Sequence, residues 1–579
     1  MTHQKVNLRI GYMLMAPRRW IIFDTVLLGV VGALSAQLFT LLLHGAQTIL
    51  LNLLAGYQPP GLPDEGGILK QVVGAHGLWY VPLATTIGGL ISGILVYSLA
   101  PEAEGHGTDT VVKAFHRAGG FIRLRVAPLK MVASAITIGS GGSAGREGPI
   151  ALISAGIGSI YSNLFKRSDQ ERRLLVLIGM AAGLSAIFRS PIGTAIFAIE
   201  VLYGDMEFEG AALPYTMLGS LVAYVVNGLF VGWQPLFRVP PGLSAPQFTG
   251  YAWYAILGIG SGLVATLLPV VFYRLRDAFH YIPVPPHLKP AIGGLGLGLL
   301  ALAFPQVLGG GYGWIQESID GRLPALLLLA LIFAKILSLA LTVSSGGSGG
   351  VFAPSLFVGA MVGGLMAMLL HQPSAAFVIV GMAAVFGGAA RVPIATLLMV
   401  TEMTGGYQLL VPAAVAVMLS YLVQKLLSSR LKYTSLYEAQ VPNRADSPAH
   451  HTENLCMALD FMCKPRLSDP SMLCHLDLVN LLESGVPVDL GREKQLMIGV
   501  LQLESPWVGK PISSGCQKDL ENEMEIIAIL RDGQILMPYP DMLLKAEDRI
   551  LAITSPHLKK RLERHLGPHR PDGRPGGTR

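Results

Sequence analysis

The sequence predicts an all-α polytopic membrane protein with broken and re-entrant helices, followed by a small soluble α/β or α+β domain. Hydrophobic residues make up 51% of the chain and charged residues only 14%, against about 25% in soluble domains. Several nearly uncharged segments approach the length of about 20 residues that crosses a hydrocarbon core. The 68 glycines and 38 prolines interrupt such segments. A broken backbone at membrane depth is tolerated only inside the protein or along an aqueous cavity, and it indicates a transport site.

Six long segments with almost no charge are the predicted membrane spans: Val26–Leu43, Val81–Leu99, Leu174–Ile199, Tyr254–Phe272, Leu323–Val343 and Leu409–Val423. Residues 1–20 carry four basic side chains and no signal-peptide cleavage pattern. The positive-inside rule places them in the cytoplasm. We therefore expect a multi-pass protein of a bacterial-type inner or plasma membrane, with both termini cytoplasmic.

The membrane region, predicted to span residues 21–440, contains an internal repeat. Lys130–Pro149 and Lys335–Pro354 share nine of 20 aligned residues at an offset of 205. Gly179–Glu200 and Gly381–Glu402 share nine of 22 at an offset of 202. The two repeats cover about residues 80–230 and 290–428. Paired repeats with breaks at matching positions are typical of a transporter core, with its site at the repeat interface.

The glycine-rich segment Gly139–Pro149 is the strongest local signal. Its glycines let the backbone unwind, and Pro149 suits the first turn of a new helix. A helix N-terminus presents free N–H groups and a positive dipole end, which bind anions. Glu147 can occupy such a site itself, because a carboxylate resembles the anion, and this makes Glu147 a candidate gate. The alternative is a re-entrant turn that Glu147 only caps.

The repeat partner of this segment, Gly350–Pro354, has the same layout without a charge. The amides of Val351 and Phe352 could supply a second set of donors to the same anion. Such a site binds weakly enough for conduction, whereas a lysine would hold the ion too tightly. The alternative is a glycine-rich packing contact.

These motifs resemble those of the CLC family of chloride channels and chloride/proton exchangers, over about residues 20–440. Gly145–Pro149 is similar to the family's gating-glutamate motif, and Gly350–Pro354 to its second filter motif. Tyr437 lies where the family has its pore tyrosine, and Lys130 where it has a lysine below the filter. The resemblance implies an inverted-repeat helical fold, a homodimer with one pore per subunit, and a gate at Glu147. It also implies the following anion-binding residues: His106, Gly107, Gly145, Arg146, Gly148, Val351, Phe352 and Tyr437.

Two positions depart from the family pattern. The first filter motif usually carries serine where this chain has His106, which donates through its imidazole or else points away and leaves binding to backbone amides. Family exchangers carry a second, cytoplasmic glutamate where this chain has Val201, so the usual proton relay is absent. Glu207 and Glu209 are the candidate replacements. Glu200 and its repeat mate Glu402 are expected to make structural hydrogen bonds.

The polar region after residue 440 predicts a linker at 441–495, a soluble domain at 496–565 and a disordered tail at 566–579. Within this region the expected elements are a short helix, Leu476–Leu482, and four strands, Met497–Leu503, Glu525–Leu530, Gln534–Met537 and Arg549–Ile553. The domain resembles the C-terminal subdomain of potassium-transport regulators. This implies a regulatory module for a small ligand, and the alternative is a dimerisation module.

The remaining classes of function lack support in the sequence. We expect no enzyme, no cofactor, no metal site and no nucleic-acid partner, because no motif for them is present. The four cysteines, Cys456, Cys463, Cys474 and Cys516, have no zinc-type spacing and are expected to be free thiols. The leading hypothesis is a glutamate-gated, voltage- or pH-gated chloride channel in the lipid bilayer. An anion/proton antiporter with a non-standard proton path is the alternative, and cation transport or sensing is a third.

Overall fold

A computed structural model of the chain describes residues 20–62, 69–240, 243, 246–444 and 447–450 of the membrane region. Of the C-terminal region it describes residues 488–491, 494–502, 505–512, 524–531, 534–536, 538, 542–554 and 566–567. The chain divides into two compact units, Met1–Ala449 and His450–Arg579. Each unit is described by itself below.

The described part of the first unit is almost entirely helical. Its helices are α1 Ile21–Gln47, α2 Val81–Leu99, α3 Thr108–Arg117, α4 Val126–Gly139, α5 Glu147–Leu164, α6 Asp169–Phe188, α7 Pro191–Glu200, α8 Leu213–Val231, α9 Tyr251–Tyr281, α10 Lys289–Ala303, α11 Tyr312–Ile319, α12 Ala325–Val343, α13 Phe352–Leu369, α14 Ser374–Ala390, α15 Pro393–Thr404 and α16 Leu410–Ser428. A two-residue hairpin, β1 Tyr57–Gln58 and β2 Val72–Val73, follows α1.

Within these described ranges, seven helical segments are long and apolar enough to cross a membrane. They are Ile21–Leu54, Val81–Leu99, Gly210–Val231, Phe248–Tyr281, Ala325–Val343, Phe352–Leu369 and Tyr407–Ser428. Five of the six predicted spans overlap these segments. The sequence prediction missed Gly210–Val231 and Phe352–Leu369 as spans.

The sixth predicted span, Leu174–Ile199, is wrong as a single helix. It is divided between α6 and α7, because Arg189 adopts a left-handed conformation with φ 54° and Pro191 then begins α7. Arg391 does the same between α14 and α15, with φ 56°. The two repeats therefore share the position of this backbone break as well as identical residues.

The two glycine-rich breaks match in the same way. Helix α4 ends at Gly139 and α5 begins at Glu147, while α12 ends at Val343 and α13 begins at Phe352. Gly141 and Gly346 both have φ 101°, a conformation that favours glycine over residues with a side chain. The predicted helix starts after both breaks are confirmed, and Pro149 lies in the first turn of α5.

Reciprocal hydrogen bonds join the two repeats about a pseudo-two-fold axis. Gly145 and Gly350 each donate to the other's carbonyl oxygen at 2.7 Å. Glu200 accepts hydrogen bonds from Ile394 N and Ala395 N at the start of α15. Glu402 accepts them from Ile192 N, Gly193 N and Ser190 Oγ at the start of α7. The structural role predicted for Glu200 and Glu402 is confirmed, and the fold is an inverted repeat.

Replacing Glu200 with alanine is expected to destabilise the membrane unit. Glu200 is fully buried, and its loss leaves two backbone donors of α15 without an acceptor, at about 1–3 kcal/mol each. Glu402→Ala is expected to destabilise the unit in the same way, because it leaves the donors at the start of α7 without an acceptor. Thermal unfolding in detergent measures the effect, with Glu317→Ala, which removes a surface ion pair to Arg322, as the control. Equal melting temperatures for Glu200→Ala and Glu317→Ala would contradict this role.

The described residues of the second unit form one antiparallel sheet. Its strands are β3 Val488–Gly491, β4 Lys494–Leu501, β5 Met524–Arg531, β6 Gln534–Leu536, β7 Arg549–Thr554 and β8 Leu566–Gly567. They are ordered β3-β4-β7-β5-β6, and β8 pairs with β4. Trp507, Ile529 and Ile550 are buried in its core. Asp548 accepts two hydrogen bonds of 2.7 Å from the Arg531 guanidinium, which fixes the end of β5 against β7.

The four predicted strands are confirmed, with small changes at their ends. The predicted tail is wrong at its start, because Leu566 and Gly567 pair with Leu501 and Val500. The predicted linker is structured at both ends. Val441 forms a β-bridge with Tyr203, and β3 begins at Val488. The predicted helix Leu476–Leu482 and the four cysteines lie outside the described residues.

Candidate functional site

Three loops that precede helices meet at the centre of the membrane unit. Gly145 pairs with Gly350, and Gly349 N donates to Gly105 O at 3.2 Å. Gly107 caps α3 with φ 84°, and a Cβ there would lie 2.7 Å from the Gly148 carbonyl oxygen. Only glycine allows this approach, which brings the starts of α3, α5 and α13 together.

Two buried lysines hold equivalent loops in the two repeats. Lys130 Nζ donates to Ala103 O at 3.0 Å and to Gly105 O at 2.6 Å, just before α3. Its repeat mate Lys335 donates to Val307 O at 2.8 Å and to Gly309 O at 2.7 Å, just before α11. Helix α11 is therefore the counterpart of α3 in the second repeat.

A small buried cavity lies where these helices begin, and we call it the central cavity. Its volume is about 10 Å³, which is room for one water-sized particle. The first turns of α5 and α13 reach it with amides that lack intrahelical acceptors. This positive, largely apolar environment suits one small anion held weakly. The lining residues are Thr108, Glu147, Gly148, Leu184, Phe188, Phe197, Val351, Phe352 and Tyr437.

The Glu147 carboxylate is buried beside this cavity at the first residue of α5, with 1% of its surface exposed. Its Oε1 accepts a hydrogen bond from the Tyr312 hydroxyl. Its Oε2 has no side-chain hydrogen-bond partner among the described residues, and the backbone N–H groups of Glu147 and Ala353 act on the carboxylate. A Cβ at Gly145 would collide with Oε2, so glycine at 145 gives the carboxylate its place.

A larger cavity of about 270 Å³ lies on the other side of Tyr312, and we call it the Arg146 cavity. Arg146 and Tyr312 both line it, together with Leu43, His44 and Gln47 from the end of α1. The Arg146 guanidinium lies 5.1 Å from the centre of the Tyr312 ring. Tyr312 and Glu147 therefore separate the Arg146 cavity from the central cavity.

A third cavity of about 190 Å³ lies on the opposite side of Tyr437, and we call it the Glu438 cavity. Tyr437 lines both this cavity and the central cavity. Arg391 and Lys432 contribute positive charge to its wall. Arg276 donates to Glu438 at 2.5 Å, and this hydrogen bond lowers the pKa of the Glu438 carboxyl.

The His106 side chain, which was predicted to line the anion site, is not among the residues that line the central cavity. The imidazole is buried with its ring centre 5.4 Å from that of Tyr437 and 6.3 Å from that of Phe272. Its Nε2 lies 3.8 Å from Asp109 Oδ2, and its Nδ1 has no described hydrogen-bond partner. The His106 backbone carbonyl, and not its ring, approaches Gly148. Whether the anion is bound by the His106 ring or by backbone amides stays a prediction.

The other predicted site residues divide into two groups. Glu147, Gly148, Val351, Phe352 and Tyr437 line the central cavity. Gly107, Gly145 and Arg146 do not line it, and the two glycines instead set the backbone around it. Their roles in anion binding remain predictions. The sequence prediction missed Tyr312 and the lining residues Thr108, Leu184, Phe188 and Phe197.

Val201 is fully buried at the end of α7, one helical turn from Phe197 in the central cavity wall. Glu209 lies beside this helix end, because its backbone N–H donates to Ile199 O at 3.3 Å. The buried Glu209 carboxylate accepts a 2.9 Å hydrogen bond from Tyr203 Oη and pairs with Arg444 at 3.1 Å. Glu207 is more exposed and accepts from Arg444 N. Among the described residues, no group of three His, Cys, Asp or Glu is placed to hold a metal ion.

Helix N-termini from two inverted repeats that converge on a buried cavity define a membrane transport protein for small anions. The chain belongs to the voltage-gated chloride channel family, whose family model matches residues 88–425. A TrkA-C domain model matches residues 497–567. Both resemblances predicted from the sequence are confirmed. Members of this family are transporters.

Relatives of known function are similar over most of the membrane region. The chain is 30% identical over 404 residues to the H(+)/Cl(-) exchange transporter ClcA of Salmonella gallinarum (strain 287/91 / NCTC 13346), covering 67% of this chain and 85% of that protein. It is 31% identical over 386 residues to ClcA of Salmonella arizonae (strain ATCC BAA-731 / CDC346-86 / RSK2980), covering 64% of this chain and 81% of that protein.

Solved structures share the fold. A CLC-type fluoride/proton antiporter has a TM-score of 0.61 at 23% identity, covering 73% of this chain and 97% of that chain. A slow cyanobacterial Cl-/H+ antiporter has a TM-score of 0.62 at 20% identity, covering 78% of this chain and 100% of that chain. At these identities the likeness extends to the fold alone.

Proposed function

We propose that this protein is a proton-coupled antiporter of chloride or a similar small anion. In this proposal Glu147 binds the transported proton and, when it is charged, competes with the anion for the site. The observation that carries the proposal is the Glu147 carboxylate, which is buried at the first residue of α5 in the wall of the central cavity. A carboxylate in this place competes with the anion, and once protonated it no longer does. The proposal takes the antiporter in preference to the channel that Val201 favours, because the relatives of 30% and 31% identity are H(+)/Cl(-) exchange transporters.

The position of the end of α1 indicates which side of the membrane each cavity faces. Residues Leu43, His44 and Gln47 at that end line the Arg146 cavity. With the N-terminus in the cytoplasm, α1 ends at the outer surface, so the Arg146 cavity opens outward. The Glu438 cavity, on the opposite side of Tyr437, then faces the cytoplasm. An anion would pass from one to the other through the central cavity.

A coupled antiporter needs a proton acceptor on the cytoplasmic side, and valine at 201 cannot act as one. We propose Glu209 for this role. Its carboxylate is buried beside the end of α7, and that helix continues to Phe197 in the wall of the central cavity. The Tyr203 hydroxyl that donates to it offers a first step for the proton.

Anion efflux from liposomes, with proton movement recorded in parallel, tests the proposed function. We expect chloride efflux accompanied by proton movement in the opposite direction, both dependent on the reconstituted protein. Anion efflux without proton movement would support a channel instead. No efflux of any small halide or nitrate from correctly folded protein would contradict anion transport altogether.

Removing the second unit is expected to leave transport intact. The last residues of the first unit, 441–449, contact its earlier part, since Gly204 N donates to Val441 O at 2.8 Å and Arg444 pairs with Glu209. A chain that ends after Ala449 keeps these contacts, whereas one that ends after Gln440 loses them. We expect the longer chain to transport at the full rate and the shorter one to lose part of its proton coupling. A folded longer chain without transport would make the second unit part of the transport machinery.

A further inference from the structure

We propose that Tyr312 is a positioning residue that holds Glu147 in the pore from the side of the Arg146 cavity, so that its hydrogen bond controls how readily the gate opens. This inference rests on the proposed role of Glu147. It adds a residue that no sequence motif marked and that lies outside the predicted filter segments. The contact would set both the rate of anion movement and its dependence on pH.

Tyr312 contacts the gating carboxylate and also lines the Arg146 cavity. Its hydroxyl donates to Glu147 Oε1, and its ring lines the Arg146 cavity. The ring is held in place by Phe237, 6.0 Å away between ring centres, and by the Arg146 guanidinium at 5.1 Å. The phenol therefore stands between the larger cavity and the gating carboxylate with little freedom to turn.

The inverted repeat explains why a residue at this position faces the pore. Thr108 begins α3 and Tyr312 begins α11, and each helix follows a loop whose carbonyls are held by a buried lysine. Thr108 lines the central cavity with a short side chain. Its repeat mate carries a phenol, which is long enough to reach Glu147. The pseudo-two-fold axis thus brings both positions to the same pore.

The hydrogen bond favours the closed, charged gate. A hydroxyl that donates to a carboxylate stabilises the charged form, and such charge-assisted bonds are the stronger ones. Glu147 must break this bond before it can leave the pore, and protonation of the carboxylate weakens the bond. The titratable or charged groups that face Glu147 are Tyr312 from α11, Arg146 from the start of α5 and Tyr437 from the segment after α16. Among these groups, Tyr312 donates a hydrogen bond to Glu147 Oε1.

Tyr312→Phe tests this inference because it removes only the hydroxyl and keeps the ring against Phe237 and Arg146. We expect anion flux at neutral pH to rise roughly tenfold, as for the loss of one hydrogen bond to a charged group. The curve of flux against external pH should move to higher pH by about one unit, since tenfold corresponds to one unit. Tyr312→Leu, which also removes the ring, should be at least as fast. Tyr224→Phe, which removes a 3.2 Å hydrogen bond to Trp233 O, is the matched control and should behave as the parent chain.

The Glu147→Ala background separates this inference from the proposed function. If Tyr312 acts through the carboxylate, Tyr312→Phe has no further effect on flux or its pH dependence in that background. An equal effect in both backgrounds, or none in the parent background for either folded Tyr312 variant, would overturn the inference while the gate role stands. If Glu147→Ala itself leaves flux and pH dependence unchanged, the gate role fails, and the role of Tyr312 fails with it.

Discussion

Glu147→Gln is expected to abolish proton transport while anion flux continues. Glutamine keeps the size of the side chain and can still accept from Tyr312, but it neither carries a proton nor competes with the anion as a charge. Proton movement should fall to the background of empty liposomes. Anion flux should lose its dependence on external pH, because the group that external protons neutralise is gone.

Glu317→Gln is the control for this experiment, since Glu317 pairs with Arg322 at the surface and faces none of the three cavities described here. It should transport protons and anions like the parent chain. Proton-coupled exchange that survives in a folded Glu147→Gln protein would show that another group carries the proton. Glu147 would then be a capping residue, which is the alternative that the sequence left open.

Glu209→Gln is expected to give the second largest effect, a loss of proton coupling with anion flux preserved. The buried carboxylate is proposed to receive the cytoplasmic proton, and loss of a positioned proton-transfer group typically costs about a hundredfold or more in rate. Proton movement should therefore fall by roughly that factor. Anions should still pass, because Glu209 lines none of the three cavities described here.

Glu207→Gln is the matched control, because Glu207 is close in sequence and also contacts Arg444, through its backbone N–H. It should keep full coupling. If Glu207→Gln uncouples transport and Glu209→Gln does not, the two roles are reversed. If neither variant changes the ratio of protons to anions, the cytoplasmic proton takes a path that avoids both carboxylates.

The sequence predicted the parts of the site that depend on local chemistry. A carboxylate in a glycine-rich break, followed by a proline in the first helical turn, is unusual enough to identify Glu147 without any structure. The repeat offset then identified Gly350–Pro354 as its counterpart. Glu200 and Glu402 followed from the same comparison, since a buried charge at matching positions needs matching partners.

The sequence could not predict the parts that depend on long-range packing. Leu174–Ile199 carries almost no charge and therefore resembles one span, but the left-handed backbone at Arg189 and the helix start at Pro191 divide it into two helices. His106 differs from the family pattern in sequence, but its ring lies against Phe272 and Tyr437, which are distant in the sequence. Tyr312 lies upstream of the repeat segment that begins at Lys335. If the repeat is extended upstream, the helix start at Thr108 corresponds to Tyr312.

In the C-terminal region, too, local features were predicted from the sequence and long-range pairing was not. Alternating apolar residues predicted four strands correctly, because one face of each strand packs in the core around Trp507 and Ile550. The pairing of Leu566 with Leu501 adds a two-residue strand to the sheet from residues that have the composition of a tail, and no local pattern marks them. A regulatory ligand of this domain remains a prediction from its likeness to TrkA-C domains.

The most direct test of the central claim is whether a chloride gradient drives protons uphill. Liposomes with high internal and low external chloride, at equal pH on both sides, would be followed with a pH electrode while the membrane potential is held near zero. Antiport predicts that chloride efflux takes protons into the liposomes, so that the external solution becomes alkaline until a protonophore reverses the change. Chloride efflux with no change in external pH would contradict the antiporter and support the channel that Val201 first predicted.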